Sequence, residues 1–182
     1  NQQTNVELNN DYNVLDISRM SGELLPLVLY TALEYVWDRA KADRTEEKAV
    51  FIDECWQLLS ATSSEGSRMA GDFILEIFKT IRGYGGAAIG ASQDLYDFMS
   101  ADNGRFGKGI INNSKTKIIL NLEEDEAVRV QDALHLSDAE IMEITHFERG
   151  TGLISTNNNN VIVDFKASPL EKELITTDRK EL

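Results

Sequence analysis

A single cysteine, Cys55, is all the thiol chemistry available in 182 residues. It cannot close an intramolecular disulfide or assemble a Cys-based metal site, so a reducing compartment and a packing role are expected. Long apolar runs are also missing. None approaches the ~18 to 20 residues that span a bilayer, and Asn1-Gln2-Gln3-Thr4 has neither the basic start nor the apolar centre of a signal peptide. A soluble chain is expected, and one without an initiator Met reads as a piece cut from a longer polypeptide. Positive charge is scarce: 18 Lys and Arg face 31 Asp and Glu, a formal net charge of −13 that repels polyanions. Arg105, Lys108, Lys115 and Lys117 form the only modest basic cluster, read first as solvated surface. No direct nucleic-acid binding is expected.

Several catalytic devices are absent as well. A phosphate-cradling loop requires Gly, four residues, then Gly-Lys-Ser/Thr, so that backbone N–H groups, an ammonium and a hydroxyl meet the nucleotide. Gly66 and Gly71 have the spacing but continue Asp72-Phe73, a carboxylate where phosphate needs a cation. Gly104-Arg105-Phe106-Gly107-Lys108-Gly109 supplies a lysine without the spacing or the hydroxyl. A nucleophile elbow is missing too, since Gly90-Ala91-Ser92 continues with Gln93-Asp94 rather than a second glycine. His135 and His146 stand far in sequence from any candidate site and are read as surface or packing residues.

What is present is a globular mixture, 42% hydrophobic and 27% charged, without a composition shift or internal repeat, so residues 1–182 read as one domain. Its most informative stretch is Ala49-Val50-Phe51-Ile52-Asp53-Glu54. Four apolar residues suit a strand covered on both faces, and that strand ends abruptly in two carboxylates. Nucleotide hydrolases need this arrangement: the first acid can hold Mg²⁺, usually through water, while the second polarises the attacking water. A strand that merely ends in acidic loop residues is the plain alternative.

Around it, Val14 to Ile17 reads as a short strand and Gly22 to Ala42 as a long helix with Pro26 in its first turn. Leu24, Leu25, Val28, Ala32, Tyr35 and Val36 give that helix an apolar stripe. Trp56 to Leu59 begin a short helix, and Ser60 to Ser67 read as a loop. Met69 to Arg82 form a second amphipathic helix, with Met69, Phe73, Ile74, Ile77, Phe78 and Ile81 on its buried face. Gly83, Gly85 and Gly86 stop it before the small-residue strand Ala87 to Ser92. Lys117 to Leu122 is a strand. Glu124 to Leu134 and Asp138 to Thr145 are helices, the first opening on the acidic run Glu123 to Glu126 and the second on a capping box of Ser137 with Glu140. Gly152 to Thr156 pairs with Val161 to Phe165 across Asn157 to Asn160 as an antiparallel hairpin. Alternating strands and helices imply an α/β fold with a mainly parallel sheet.

Val14-Leu15-Asp16-Ile17-Ser18, Phe51 through Leu59, and Thr80-Ile81-Arg82-Gly83-Tyr84-Gly85-Gly86 running on to Gln93-Asp94 occur in that order. Together they resemble the motor domain of the large cytoplasmic ATPases of conjugation and type IV secretion, the TraC and TraE type of the VirB system. Thr116 to Leu120, Leu136 to Glu140 and Ser168 to Leu174 are similar to that family's closing segments. The resemblance implies a RecA-like P-loop NTPase core, here without its first strand, phosphate loop and first helix. By that likeness Asp53 is the Walker B aspartate at the metal, Glu54 the catalytic glutamate, and Gln93 the polar sensor of the γ-phosphate or water. Arg82 matches a position from which related hexameric motors offer an arginine to a neighbour's nucleotide; its plain alternative is a helix C-terminal cation.

The intact protein is thus expected to use ATP and Mg²⁺, to form a homo-oligomer, hexamer or dimer, and to work with other secretion components. Its expected place is the cytoplasm, against the inner face of the membrane. The fragment alone is expected to bind no nucleotide well and to be inactive. Two other readings stay open: a DNA-translocating coupling protein or HerA/FtsK-type motor, and a degenerate RecA-like assembly module.

Overall fold

A computed structural model describes residues 10–17, 25–54, 65–93, 95–157 and 159–175. The chain divides into two compact units, Asn1–Ser92 and Gln93–Leu182. Trp56 to Leu59, Cys55 and most of the Ser60 to Ser67 segment lie outside the described residues, as do Gly22 to Leu24, Asp94 and Asn158. Among the described residues no helix is long and apolar enough to cross a membrane.

The first unit opens with α1 (Leu25–Ala42). Pro26 stands in its first turn, where a missing N–H is harmless. Arg39 and Lys41 stand in its last turn, where cations complement the helix dipole. The Lys48 ammonium donates to the Ala40 carbonyl at 2.9 Å and to the Asp43 carbonyl, so the C-terminal end of α1 is tied to the strand that follows. Leu29, Leu33, Trp37 and Ala40 are its buried side chains, one position round from the expected stripe. Both stripes are apolar; packing against α2 (Glu65–Thr80) selects the one carrying Trp37. Tyr30 and Phe73 join the two helices edge to face, ring centroids 5.5 Å apart.

On α2 the buried residues include Ala70, Ile74 and Ile77, while Met69, expected inward, is 48% exposed. The helix gives way to a 3₁₀ turn, Ile81–Tyr84, which Gly85 ends at φ 75°. Strands β1 (Lys48–Ile52) and β2 (Gly86–Gly90) pair in parallel, with Lys48 opposite Gly86 and Ile52 opposite Gly90. One face of this pair carries Val50 and buried Ile52. The other carries Phe51, 73% exposed, and Ile89, 40% exposed, so the expectation of cover on both faces is corrected. The parallel pair is covered on one face only among the described residues. The segment 13–17 is likewise no strand: its residues are irregular and mostly exposed, and an apolar run becomes a strand only when a neighbour takes up its N–H and C=O groups.

The second unit begins with a helical pair that the sequence reading passed over, α3 (Leu95–Ser100) and α4 (Arg105–Asn113), linked by the 3₁₀ turn Ala101–Gly104. The glycines of α4 enter the sequence analysis only as a phosphate-loop candidate, although they lie in a helix. A Cβ at Gly107 would collide with the Phe98 carbonyl, so glycine there lets two helices close on each other. Strand β3 (Thr116–Ile119) leads to α5 (Glu124–Leu134) and α6 (Asp138–Ile144), then β4 (Thr151–Thr156) and β5 (Asn159–Asp164). The three strands form one antiparallel sheet in the order β3-β4-β5. The hairpin turn is tighter than expected: Asn159 and Asn160 belong to β5, and Asn157 takes the left-handed φ of 49°.

Phe106, Ile119, Val130, Ile144 and Leu153 are at the centre of this unit's core. The Asn121 amide donates to the carbonyls of Ile144, Thr145 and Phe147, finishing α6 from outside. Ser137 and Glu140 make the expected capping box, and Asn160 of β5 donates to the same glutamate at 2.6 Å. A last helix, α7 (Pro169–Ile175), is exposed throughout and opens on a similar Ser168–Glu171 exchange. Caps rather than packing hold its first turn.

Hydrogen bonds from the Ser137 N–H and hydroxyl, then from Asn160, hold the Glu140 carboxyl below the usual range. A depressed folded-state pKa stabilises the fold above the unfolded value and loses that stabilisation as pH falls through the folded one. Urea unfolding from neutral pH down through the carboxylate range should therefore show an acid-side loss that Glu140→Gln flattens, and Ser137→Ala should cost about 1 kcal/mol at neutral pH. Gly85→Ala should be harsher than an ordinary surface change, because a Cβ would stand 2.8 Å from the Arg44 carbonyl oxygen at a positive φ. Thermal unfolding reads it directly, and an unchanged midpoint would contradict the Gly85 geometry.

Candidate functional site

Parallel pairing decides what can stand together. In a parallel ladder both C-terminal ends lie on one edge. Ile52 is opposite Gly90, and the Ala91 N–H donates to the Ile52 carbonyl at 3.0 Å, so the ladder runs one bond beyond the strands. Asp53 and Glu54 leave β1 at that edge, where Ala91 and Ser92 leave β2. The crevice outside strand carboxyl ends is where open α/β sheets bind ligands.

The acid pair has a local shape of its own. Asp53 is exposed and Glu54 half-buried. Glu54 adopts φ 49°, left-handed backbone that a residue with a Cβ enters at a cost of about 1 to 2 kcal/mol. The turn lets the Glu54 N–H donate to Asp53 Oδ1 at 3.0 Å. One carboxylate is thus braced by the backbone of the next residue while the chain swings the second acid away from the strand line. Backbone strain of this kind clusters at active sites, ligand clamps and switch regions.

Gln93, the third expected member, is exposed, stands three residues beyond Gly90 and opens the second unit. Arg82 is elsewhere. It lies in the 3₁₀ turn before β2, at the N-terminal edge of the parallel pair, and is exposed. Four strand steps of about 3.3 Å, roughly 13 Å, separate that edge from the acids. The structure therefore brings Asp53 and Glu54 together and sets Arg82 apart from them. Among the described residues no group of three or more His, Cys, Asp or Glu side chains is placed to hold a metal unaided.

The edge that carries Arg82 holds a cluster the sequence reading did not assemble. The Arg44 guanidinium lies over the Tyr84 ring at 4.6 Å, Tyr84 meets Trp37 edge to face at 5.3 Å, and the Lys41 ammonium is 5.7 Å from the Trp37 ring. Such cation–π contacts are worth about 0.5 to 1 kcal/mol at exposed positions. No sequence pattern marks this cluster, because it joins Trp37, Lys41, Arg44 and Tyr84 from separate segments. In the second unit, Arg105 lies over Phe106 and the Lys117 ammonium donates to the Ser114 carbonyl at 2.9 Å, each on a neighbour close in sequence.

Comparison with known proteins gives a consistent result. The family model described as the TraG P-loop domain matches residues 1–179. Protein TraC of Escherichia coli strain K12 is 31% identical over 104 residues, 57% of this chain and 11% of that protein. The solved structure of VirB4 of Thermoanaerobacter pseudethanolicus superposes with a TM-score of 0.79 at 25% identity, covering 91% of this chain and 44% of that one. The chain thus spans less than half the length of either relative.

The left-handed turn at the acid pair is open to a stability test that needs no activity. Glu54→Gly should be more stable than Glu54→Ala by about 1 kcal/mol, since glycine enters φ 49° without the Cβ penalty. Equal unfolding midpoints for the two variants would mean that the turn is not left-handed in solution.

Proposed function

Since this chain belongs to the TraG P-loop domain family, among the motor domains of type IV secretion and conjugative-transfer ATPases, we propose that it carries the catalytic acids of such a motor. In the intact protein ATP hydrolysis drives movement of a substrate or pilus component through the secretion channel. The observation that carries the reading is the braced pair Asp53–Glu54 at the carboxyl edge of a parallel ladder, its second residue in strained backbone.

Mg²⁺, accompanying ATP in the intact protein, fits the residues present. Mg²⁺ needs one or two carboxylates beside water and phosphate oxygens, and Asp53 offers an exposed, hard-oxygen carboxylate with one oxygen already oriented by the Glu54 N–H. Bound there, the ion would neutralise phosphate charge. Glu54 is assigned to orient and polarise the attacking water, and Gln93 to register the γ-phosphate. Arg82 is assigned to a neighbouring copy's nucleotide, a role its position on the opposite edge supports, because it stands roughly 13 Å of strand away from its own acids. A trans arginine implies a homo-oligomer, a hexamer in the ring-shaped case. The motor works with other secretion components at the cytoplasmic face of the membrane. A net charge of −13 argues against a DNA-gripping role for this part of the protein.

A protein joining this chain to a phosphate loop should hydrolyse ATP, and Glu54→Gln should lower kcat at least about a hundredfold with little change in nucleotide affinity. The chain alone should bind a fluorescent ATP analogue weakly and turn over none, since no phosphate loop is in its sequence. Micromolar binding by the chain alone would overturn the second expectation, and full activity of the Glu54→Gln motor would overturn the first.

A further inference from the structure

Arg82 does not stand alone at the N-terminal edge of the parallel pair. Arg44 lies in the loop between α1 and β1, and its backbone is pressed against Gly85, where an added Cβ would come within 2.8 Å of the Arg44 carbonyl oxygen. Gly85 is three residues from Arg82, and its N–H donates to the Arg82 carbonyl at 3.3 Å. The two arginines therefore rise from backbone segments that touch through a single glycine. Tyr84, two residues after Arg82, is half-buried against Trp37, with the Arg44 guanidinium on its face at 4.6 Å. Stacking fixes the plane of a guanidinium while leaving its N–H edge to donate.

The nearest acid in sequence is occupied elsewhere. Asp43 accepts from the Thr45 N–H at 2.8 Å and from the Thr45 hydroxyl at 2.6 Å, and those bonds hold its carboxyl below the usual range. Lys41 pairs with Asp38, and no described carboxylate pairs with either arginine. In a chain with 31 acidic residues, two exposed arginines on one sheet edge without a described carboxylate partner suit an anion supplied from outside.

We infer that Arg44 and Arg82 form a two-arginine platform, Arg44 oriented by Tyr84, that binds the terminal phosphate of a nucleoside triphosphate held by a second copy of this chain. This rests on the proposed motor function and adds to it a residue, Arg44, that sequence patterns do not mark. Arg82 is the group assigned to the transferring phosphate. Arg44 adds a planar, bidentate donor whose geometry is set before the neighbour docks.

The test uses the intact, assembled ATPase containing this chain. Arg44→Ala and Arg44→Met should each lower kcat about ten- to hundredfold, the range for losing a charge-assisted hydrogen bond, with the KM for ATP changed less than about twofold. Arg44→Met keeps the apolar stem over Tyr84, so a loss shared by both variants at unchanged unfolding midpoints is not a folding defect. Arg44→Lys should recover only part of the rate. Oligomers mixed from Arg44→Met and Glu54→Gln subunits should exceed either parent, because some interfaces then join an intact Glu54 to an intact Arg44.

Normal kcat in the Arg44 variants, or mixed oligomers no faster than their parents, would overturn the inference. If the wild type hydrolyses ATP and Arg82→Ala is slow while Arg44→Met is normal, the platform fails and the motor reading stands. If the wild-type assembly hydrolyses nothing, both fall.

Discussion

The parallel pairing of β1 with β2 is the constraint on which the first unit depends. A parallel pair cannot be closed by a tight turn; the chain must return along the whole strand length before starting again. Helix α2 makes that return, and the 3₁₀ turn with Gly85 aims the chain into β2. The register then leaves no freedom: Ile52 opposite Gly90 sets the acids at one edge, and Lys48 opposite Gly86 sets Arg82, Tyr84 and the Arg44 loop at the other. A single ladder thus segregates carboxylates from guanidinium groups within one small sheet. Had the strands been antiparallel, the start of β2 would have met the end of β1 and both charge types would share an edge.

The second unit solves a different problem. Its sheet is antiparallel and its helices are short, so helix ends make up a large share of its backbone and need partners. They are supplied by side chains from neighbouring segments: Asn121 for the end of α6, Ser137 and Glu140 for its start, and Asn160 reaching from β5 to the same glutamate. These contacts tie helix to sheet through polar groups, while Phe106, Ile144 and Leu153 tie them through apolar area. Glu140 caps α6 and accepts from β5, so its protonation would loosen a helix start and a strand contact together.

Much of this was legible in the residues. Helix α5 has the bounds its acidic start and apolar spacing indicate, and the capping box at Ser137 was readable from two letters at the right separation. The acid pair was found where an apolar run stops. Other features were hidden for physical reasons. The 13–17 segment has strand composition but is irregular, since composition alone does not make a ladder. Helix α1 is apolar on more than one side, so periodicity admits two stripes and tertiary packing chooses the one with Trp37. Helix α4 hides behind glycines whose purpose is close approach to Phe98, a contact invisible along the chain. Arg44 carries no pattern at all; only the fold brings it over Tyr84.

Lys48 closes the circle between these parts. Its ammonium satisfies carbonyls in the last turn of α1 and just beyond it, its backbone begins β1, and the second of those carbonyls, that of Asp43, adjoins Arg44, which reaches Tyr84. An acyl group on that nitrogen would remove its charge and leave one N–H where an ammonium has three. The helix end would loosen beside the aromatic pair of Trp37 and Tyr84, so the charge of one lysine bears on how firmly the cationic edge of the sheet is held.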